Sequence, residues 1–175
     1  HPAVFDTARS VVIAQSGAEV LGALQKLESA RAAGKWIAGY LAYEAGYGLE
    51  KRLKALSVRH DTAPLLAFGI FDAPQSAHSV LSEASKRSDT ARISPPQPMI
   101  TRAQYDAAVA QVMAYIAAGD CYQINLTFPM RARLLSGDAL ALYGALRTRQ
   151  KVGHGAFVDL GAGPILVSRS PELFL

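Results

Sequence analysis

Gly119-Asp120-Cys121-Tyr122-Gln123-Ile124-Asn125-Leu126-Thr127 marks a change of hydrophobic period. Upstream, Tyr105, Ala108, Val109, Val112, Tyr115 and Ile116 recur at helical spacing. Thr101-Arg102-Ala103-Gln104 opens that helix as a capping box, and Gly119 closes it in the left-handed conformation. Downstream the residues alternate. Tyr122, Ile124, Leu126 and Phe128 fall on one face of an extended strand, and Cys121, Gln123, Asn125 and Thr127 fall on the other. Antiparallel sheets commonly keep one wet side. The polar face therefore reads either as solvent-facing or as the wall of a cavity, and alternation does not separate the two.

Working back toward the N-terminus, Ser10-Val11-Val12-Ile13-Ala14 is a short strand. Ser16-Gly17-Ala18-Glu19 is a second capping box, and Val20, Leu21, Leu24, Leu27 and Ala30 mark the apolar face of the helix that Gly34 ends. Trp36 to Tyr43 is a strand in which Gly39 lets another backbone come close. Leu49 to Leu56 has helical spacing. The apolar run Leu65 to Phe71 is a buried strand. Pro74 to Pro98 is rich in Ser, Ala and Pro and reads as a linker, with a short surface strand at Val80-Leu81.

Toward the C-terminus, Ser136-Gly137-Asp138 starts a helix with Leu140, Leu142, Tyr143 and Leu146 as its apolar residues. Ala156 to Leu160 and Pro164 to Ser168 form a hairpin around Gly161-Ala162-Gly163, and Glu172 to Leu175 reads as strand. This order predicts an α+β (mixed α/β) architecture with helices outside sheets. Residues 1–73 form an N-terminal α/β region, 74–98 a linker, and 99–175 a further domain.

Half of the 175 residues are hydrophobic and 18% are charged, which is the composition of a globular chain. The net charge of +4 is modest, and the loose group Arg131, Arg133, Arg147, Arg149 and Lys151 has no interleaved aromatics. It reads as a solvated face rather than a nucleic-acid patch, although a mild positive field also suits an anionic metabolite. The lone Cys121 forms no internal disulfide, and no apolar run spans a bilayer or resembles a secretory leader. A soluble protein of the reducing cytoplasm is expected, with no nucleic acid and no membrane as partner. The start at His1 and the stop within an apolar stretch at Leu175 read as the ends of a piece of something longer. A phosphate-cradling P-loop is absent. The four histidines have no metal spacing, and Ser10, Ser168 and Ser170 lack the surroundings of a hydrolase nucleophile.

Three stretches together resemble the chorismate-utilising enzymes. They are Ala118 to Leu126, Ser170-Pro171-Glu172-Leu173-Phe174-Leu175 and, more weakly, Ala38 to Tyr47. The Cys-Tyr-Gln-Ile-Asn-Leu wording is similar to the aminodeoxychorismate synthase branch, with the anthranilate synthases as the alternative. The resemblance implies a fold of two face-packed sheets with outer helices, of which residues 99–175 begin the chorismate-binding catalytic domain. It implies that Glu172 is the general acid that protonates the departing C4 hydroxyl of chorismate. Gln123 stands where the water-adding relatives carry a base lysine, and glutamine cannot serve as a base. That points to the ammonia-using branch, with ammonia from a glutamine amidotransferase subunit. Mg²⁺ is the implied cofactor. Its ligands, the residues that grip the substrate carboxylates and an attacking lysine are expected beyond residue 175, so no metal or cofactor ligand is assigned here. The tryptophan-binding segment of longer family members is not found. A reading of a different class is a non-catalytic binding domain on the same framework.

Overall fold

The computed structural model describes residues 2–56 and 63–173. In chain order these form β1 (Ala3–Val4), β2 (Ser10–Ala14), α1 (Gly17–Ala32), β3 (Trp36–Leu41), α2 (Ala45–Leu49), β4 (Leu66–Phe71), β5 (Gln75–Ser76), α3 (His78–Arg87), β6 (Arg92–Ile93), β7 (Gln97–Pro98), α4 (Arg102–Ala118), β8 (Met130–Arg131), β9 (Leu134–Ser136), α5 (Ala139–Arg149), β10 (His154–Val158) and β11 (Leu166–Ser170). Lys51–Leu56 and Ser88–Thr90 are 3-10 turns. Five α-helices with several small antiparallel sheets make this an α+β fold. The chain divides into two compact units: His1–Ser88 with Ala139–Leu175, and Asp89–Asp138.

The first unit is built on a three-stranded antiparallel sheet in the order β2-β4-β3. The central strand is the apolar run, which is largely buried along its length. Helix α1 covers the sheet with Val20, Ala23 and Leu27, which join Ala14, Ala45, Leu65 and Leu66 in the core. Leu21, expected on this face, is 57% exposed. It stands about 100° around the helix from Val20, outside the stripe that Val20, Ala23 and Leu27 share. Both ends of α1 follow local rules. Glu19 accepts hydrogen bonds from the Ser16 and Gln15 amides at 3.0 and 2.7 Å. Gly34 takes a φ of 77°, which lets the Lys35 amide close the last turn on the Ala30 carbonyl at 3.0 Å. A Cβ at Gly39 would fall on the Ala67 carbonyl oxygen of β4, so the close approach read from the sequence is real.

Three local readings are corrected in this unit. The helical segment begins earlier than Leu49: α2 ends there, Glu50 is extended, and a 3-10 stretch follows. Val80-Leu81 is helical rather than extended, because α3 runs through the predicted linker. A stripe of small residues hides that helix from a hydrophobic count. Ala84 of α3 is fully buried, and a Cβ on Gly144 of α5 would meet its carbonyl oxygen, so the two helices cross nearly backbone to backbone. The β10–β11 hairpin is present, but β10 starts two residues earlier than expected and β11 runs on to Ser170.

The second unit is α4 with two short ribbons, β6 paired with β9 and β7 paired with β8. Helix α4 is where the pattern placed it. Thr101 Oγ1 accepts from the Gln104 amide at 3.2 Å, and Gln104 Oε1 accepts from the Thr101 amide at 2.8 Å. At its other end Gly119 has a φ of 78°, and the Asp120 amide donates to the Tyr115 carbonyl at 3.0 Å. The predicted strand through Phe128 is not formed. From Cys121 to Phe128 the chain pairs with no strand among the described residues, and pairing resumes where the Met99 amide donates to the Pro129 carbonyl at 2.9 Å. Alternation gives a preference for extension, but a strand also needs a neighbour to take its amides and carbonyls.

Candidate functional site

The hairpin delivers the Ser-Pro-Glu segment. β11 pairs with β10 from Val158↔Leu166 to His154↔Ser170 and then stops. Ser170 Oγ donates to the Glu172 carbonyl at 2.8 Å, and the Glu172 amide donates back to Ser170 Oγ at 3.3 Å. With Pro171 fixing φ between them, the serine folds the chain into a bend. Glu172 is therefore on a bend rather than in the strand expected for 172–175, and its side chain is exposed. Phe174 and Leu175 lie outside the described residues.

Gln123 belongs to the second unit and is also exposed. The sequence placed Tyr122, Ile124 and Leu126 on one face of a strand, and Tyr122 is 93% exposed while Ile124 and Leu126 are a little over a third exposed. Cover begins only at Phe128, whose ring meets Tyr105 of α4 edge-on at 5.6 Å. Cys121 is a free thiol at an intermediate depth. In the Ala38 to Tyr47 stretch, Tyr43 is 84% exposed and stands edge-on to Tyr47 at 6.2 Å.

The sequence missed Arg169, one residue before the Ser-Pro-Glu segment. Its guanidinium lies over the Tyr143 ring at 5.6 Å, and its Nη2 donates to the Gln150 carbonyl at 2.5 Å. Its Nε is buried and without a partner among the described residues. Arg169 lines a cavity of about 1000 Å³ in the first unit, together with Phe68, Phe71, Phe157, Arg147 and Lys151. Glu172 is not on its wall. Two of the cations read as a solvated face, Arg147 and Lys151, thus border this space. No spacing rule could pair Arg169 with Tyr143, since strand and helix meet only through the fold. The buried Tyr40 hydroxyl likewise has no partner among the described residues, and burial pushes its pKa up.

Asp72 shows charge pairing of another kind. It accepts from Arg9 Nε at 2.6 Å and Lys35 Nζ at 2.8 Å, and these bonds bring its carboxyl down to about 2. This exposed triad ties the ends of β2, β3 and β4 together. Among the described residues no three His, Cys, Asp or Glu side chains come together, so they do not form a Mg²⁺ site. Among them, too, no helix is long and apolar enough to cross a membrane.

Comparison with known proteins adds the family. Aminodeoxychorismate synthase component 1 of Escherichia coli is 39% identical over 79 residues, 45% of this chain and 17% of that protein. The chloroplastic aminodeoxychorismate synthase of Arabidopsis thaliana is 38% identical over 79 residues, 45% of this chain and 9% of that protein. Anthranilate synthase component 1 of Thermus thermophilus is 37% identical over 79 residues, 45% of this chain and 17% of that protein. The matched stretch is thus less than a fifth of these relatives' length. No solved structure matches at the same stringency. The sequence model of the family described as chorismate binding enzyme matches residues 4–175, and on that near-complete match the chain belongs to the chorismate binding enzymes.

Proposed function

We propose that this chain is part of the synthase component of an aminodeoxychorismate synthase, which converts chorismate and ammonia to 4-amino-4-deoxychorismate. The observation that carries the reading is Gln123 within Cys-Tyr-Gln-Ile-Asn-Leu, in a chain of the chorismate-binding family. Glutamine orients by hydrogen bonding but takes no proton from water, so this position suits amination rather than hydration of the ring. Similarity to the synthases of Escherichia coli and Arabidopsis thaliana agrees with this.

The chemistry asks for an acid. Hydroxide is a poor leaving group, and the C4 oxygen departs as water once a carboxylic acid gives it a proton. Glu172 is the group for that step. Its exposed position requires that further protein, or the substrate itself, enclose it. Ammonia then replaces the lost oxygen, supplied by an amidotransferase subunit. Among the described residues no three His, Cys, Asp or Glu side chains come together to hold Mg²⁺.

The Thermus thermophilus similarity favours a second reading, anthranilate synthesis. Protein expressed from the complete reading frame, given chorismate and ammonium, separates the two. The expected product is 4-amino-4-deoxychorismate, and anthranilate as the product overturns the assignment.

A further inference from the structure

Glu172 hangs from the open end of a ribbon. β11 pairs with β10 alone, and the register runs from Val158↔Leu166 beside the turn to His154↔Ser170, where pairing stops. A two-stranded ribbon is marginal in water, and its open end is the first part to fray. Ser170 gives the bend its shape, but its two bonds to Glu172 do not fix where the bend is held. Arg169, the residue before it, reaches outside the ribbon. Gly155 stands opposite Arg169 in the register, and a Cβ there would land on the guanidinium Nη1. The side chain thus crosses β10 through a slot that glycine leaves open. Its guanidinium lies over the Tyr143 ring at 5.6 Å, and Nη2 donates to the Gln150 carbonyl just past the last turn of α5.

We infer that Arg169 is a positioning residue: it straps the open end of the β10–β11 ribbon to α5 and so fixes the place from which Glu172 gives its proton. The inference rests on the reading of Glu172 as the acid. The anchor is firm. Tyr143 is buried and also packs on Phe157 of β10 at 5.9 Å. Helix α5 is itself pressed against α3 where Gly144 meets the Ala84 backbone. A displacement at Arg169 passes along the backbone to Ser170 and Glu172, with the rigid Pro171 between them. Arginine suits the task. Its planar guanidinium covers the ring while its fork reaches the carbonyl, and a lysine ammonium has neither the plane nor the fork. Stability alone does not call for it. The Nε is buried without a partner among the described residues, and a buried cation with an unmatched donor costs more than a methionine filling the same slot.

Protein from the complete reading frame is compared with its Arg169→Met and Gly155→Ala variants. The first keeps the aliphatic stem and removes the guanidinium. The second keeps Arg169 and pushes its guanidinium out of the slot. In both, amide hydrogen exchange over 168–172 is expected to be at least about 10-fold faster, while β2, β3 and β4 stay as protected as before. Unchanged exchange over 168–172 overturns the strap. Loss of protection throughout the first unit in both variants also overturns it, and makes Arg169 a general support of the fold. With chorismate and ammonium, kcat should fall about 10–100-fold, the cost of a small misplacement, with KM nearly unchanged. Unchanged kcat in both variants, where Glu172→Gln is impaired, overturns the positioning role. In a Glu172→Gln background the Arg169→Met loss should vanish, because residues that act as a unit are not additive. A full additional loss there overturns action through Glu172. Glu172→Gln without effect on kcat defeats the acid reading alone, since exchange over 168–172 still decides the strap.

Discussion

A glutamate asked to donate a proton must be held in place before it can be useful, and Ser170 does the holding here. The hydroxyl bonds both the amide and the carbonyl of Glu172, so the bend is set locally whatever encloses it later. In the complete enzyme Glu172→Gln keeps the shape and removes the transferable proton. Loss of about 10²–10⁴-fold in kcat is expected, with an unchanged circular dichroism spectrum, and a change below about threefold returns Glu172 to a surface role. Gln123→Lys places a cation, and on desolvation a base, where amination needs a neutral hydrogen-bonding group. Amination should fall, with isochorismate-type product as the informative gain, while normal amination removes Gln123 from the site. Asp72 gives a prediction in pH. Its folded-state value is depressed to about 2 from 3.8, so its contribution is present above about pH 4 and is lost as pH falls through 2. Asp72→Asn should lower the urea midpoint at pH 7, and the gap to wild type should close between pH 4 and 2. The bend at Ser170-Pro171 depends only on neighbours along the chain, yet the alternation there reads as strand, since the pattern does not show that Ser170 folds back on Glu172. The place of Arg169 over Tyr143 was not legible either, because it depends on residues 26 positions away.

At the scale of elements, the sequence predicted well the helices whose two ends carry explicit signals. Helices α1 and α4 begin at their capping boxes and end at Gly34 and Gly119, since those signals act within one turn. It failed where the pattern along the chain does not show what packs beside it. Cys121–Phe128 has the pattern of a strand without a partner, and α3 hides its packing in alanine and glycine. The α3–α5 crossing is open to direct test. A methyl group on Gly144 would fall on the Ala84 backbone, so Gly144→Ala must push the helices apart. Overpacking of this kind typically costs about 1–3 kcal/mol, which thermal unfolding will register as a clear drop in Tm. Gly153→Ala, which has open space around its Cβ, is the control and should leave Tm nearly unchanged.

Across the whole molecule the two candidate residues belong to different units, and the units are unequal. The one carrying Glu172 has a core of Ala14, Val20, Leu27, Leu65 and Leu66 beneath a paired sheet. The one carrying Gln123 has no buried residue at all. Catalysis needs reacting groups held to within a fraction of an ångström by a rigid surround. A unit without an interior does not hold Gln123 to that tolerance, and an exposed Glu172 meets the substrate in water. The described residues also offer no acidic cluster to hold Mg²⁺. Residues 1–175 alone should therefore be catalytically silent even where the proposed function is right. Chorismate consumption by this polypeptide, supplied with ammonium and Mg²⁺, should not exceed that of its Glu172→Ala variant. Turnover above that control would mean that the site assembles from these residues, with Gln123 ordered and Glu172 enclosed by segments that now leave both exposed.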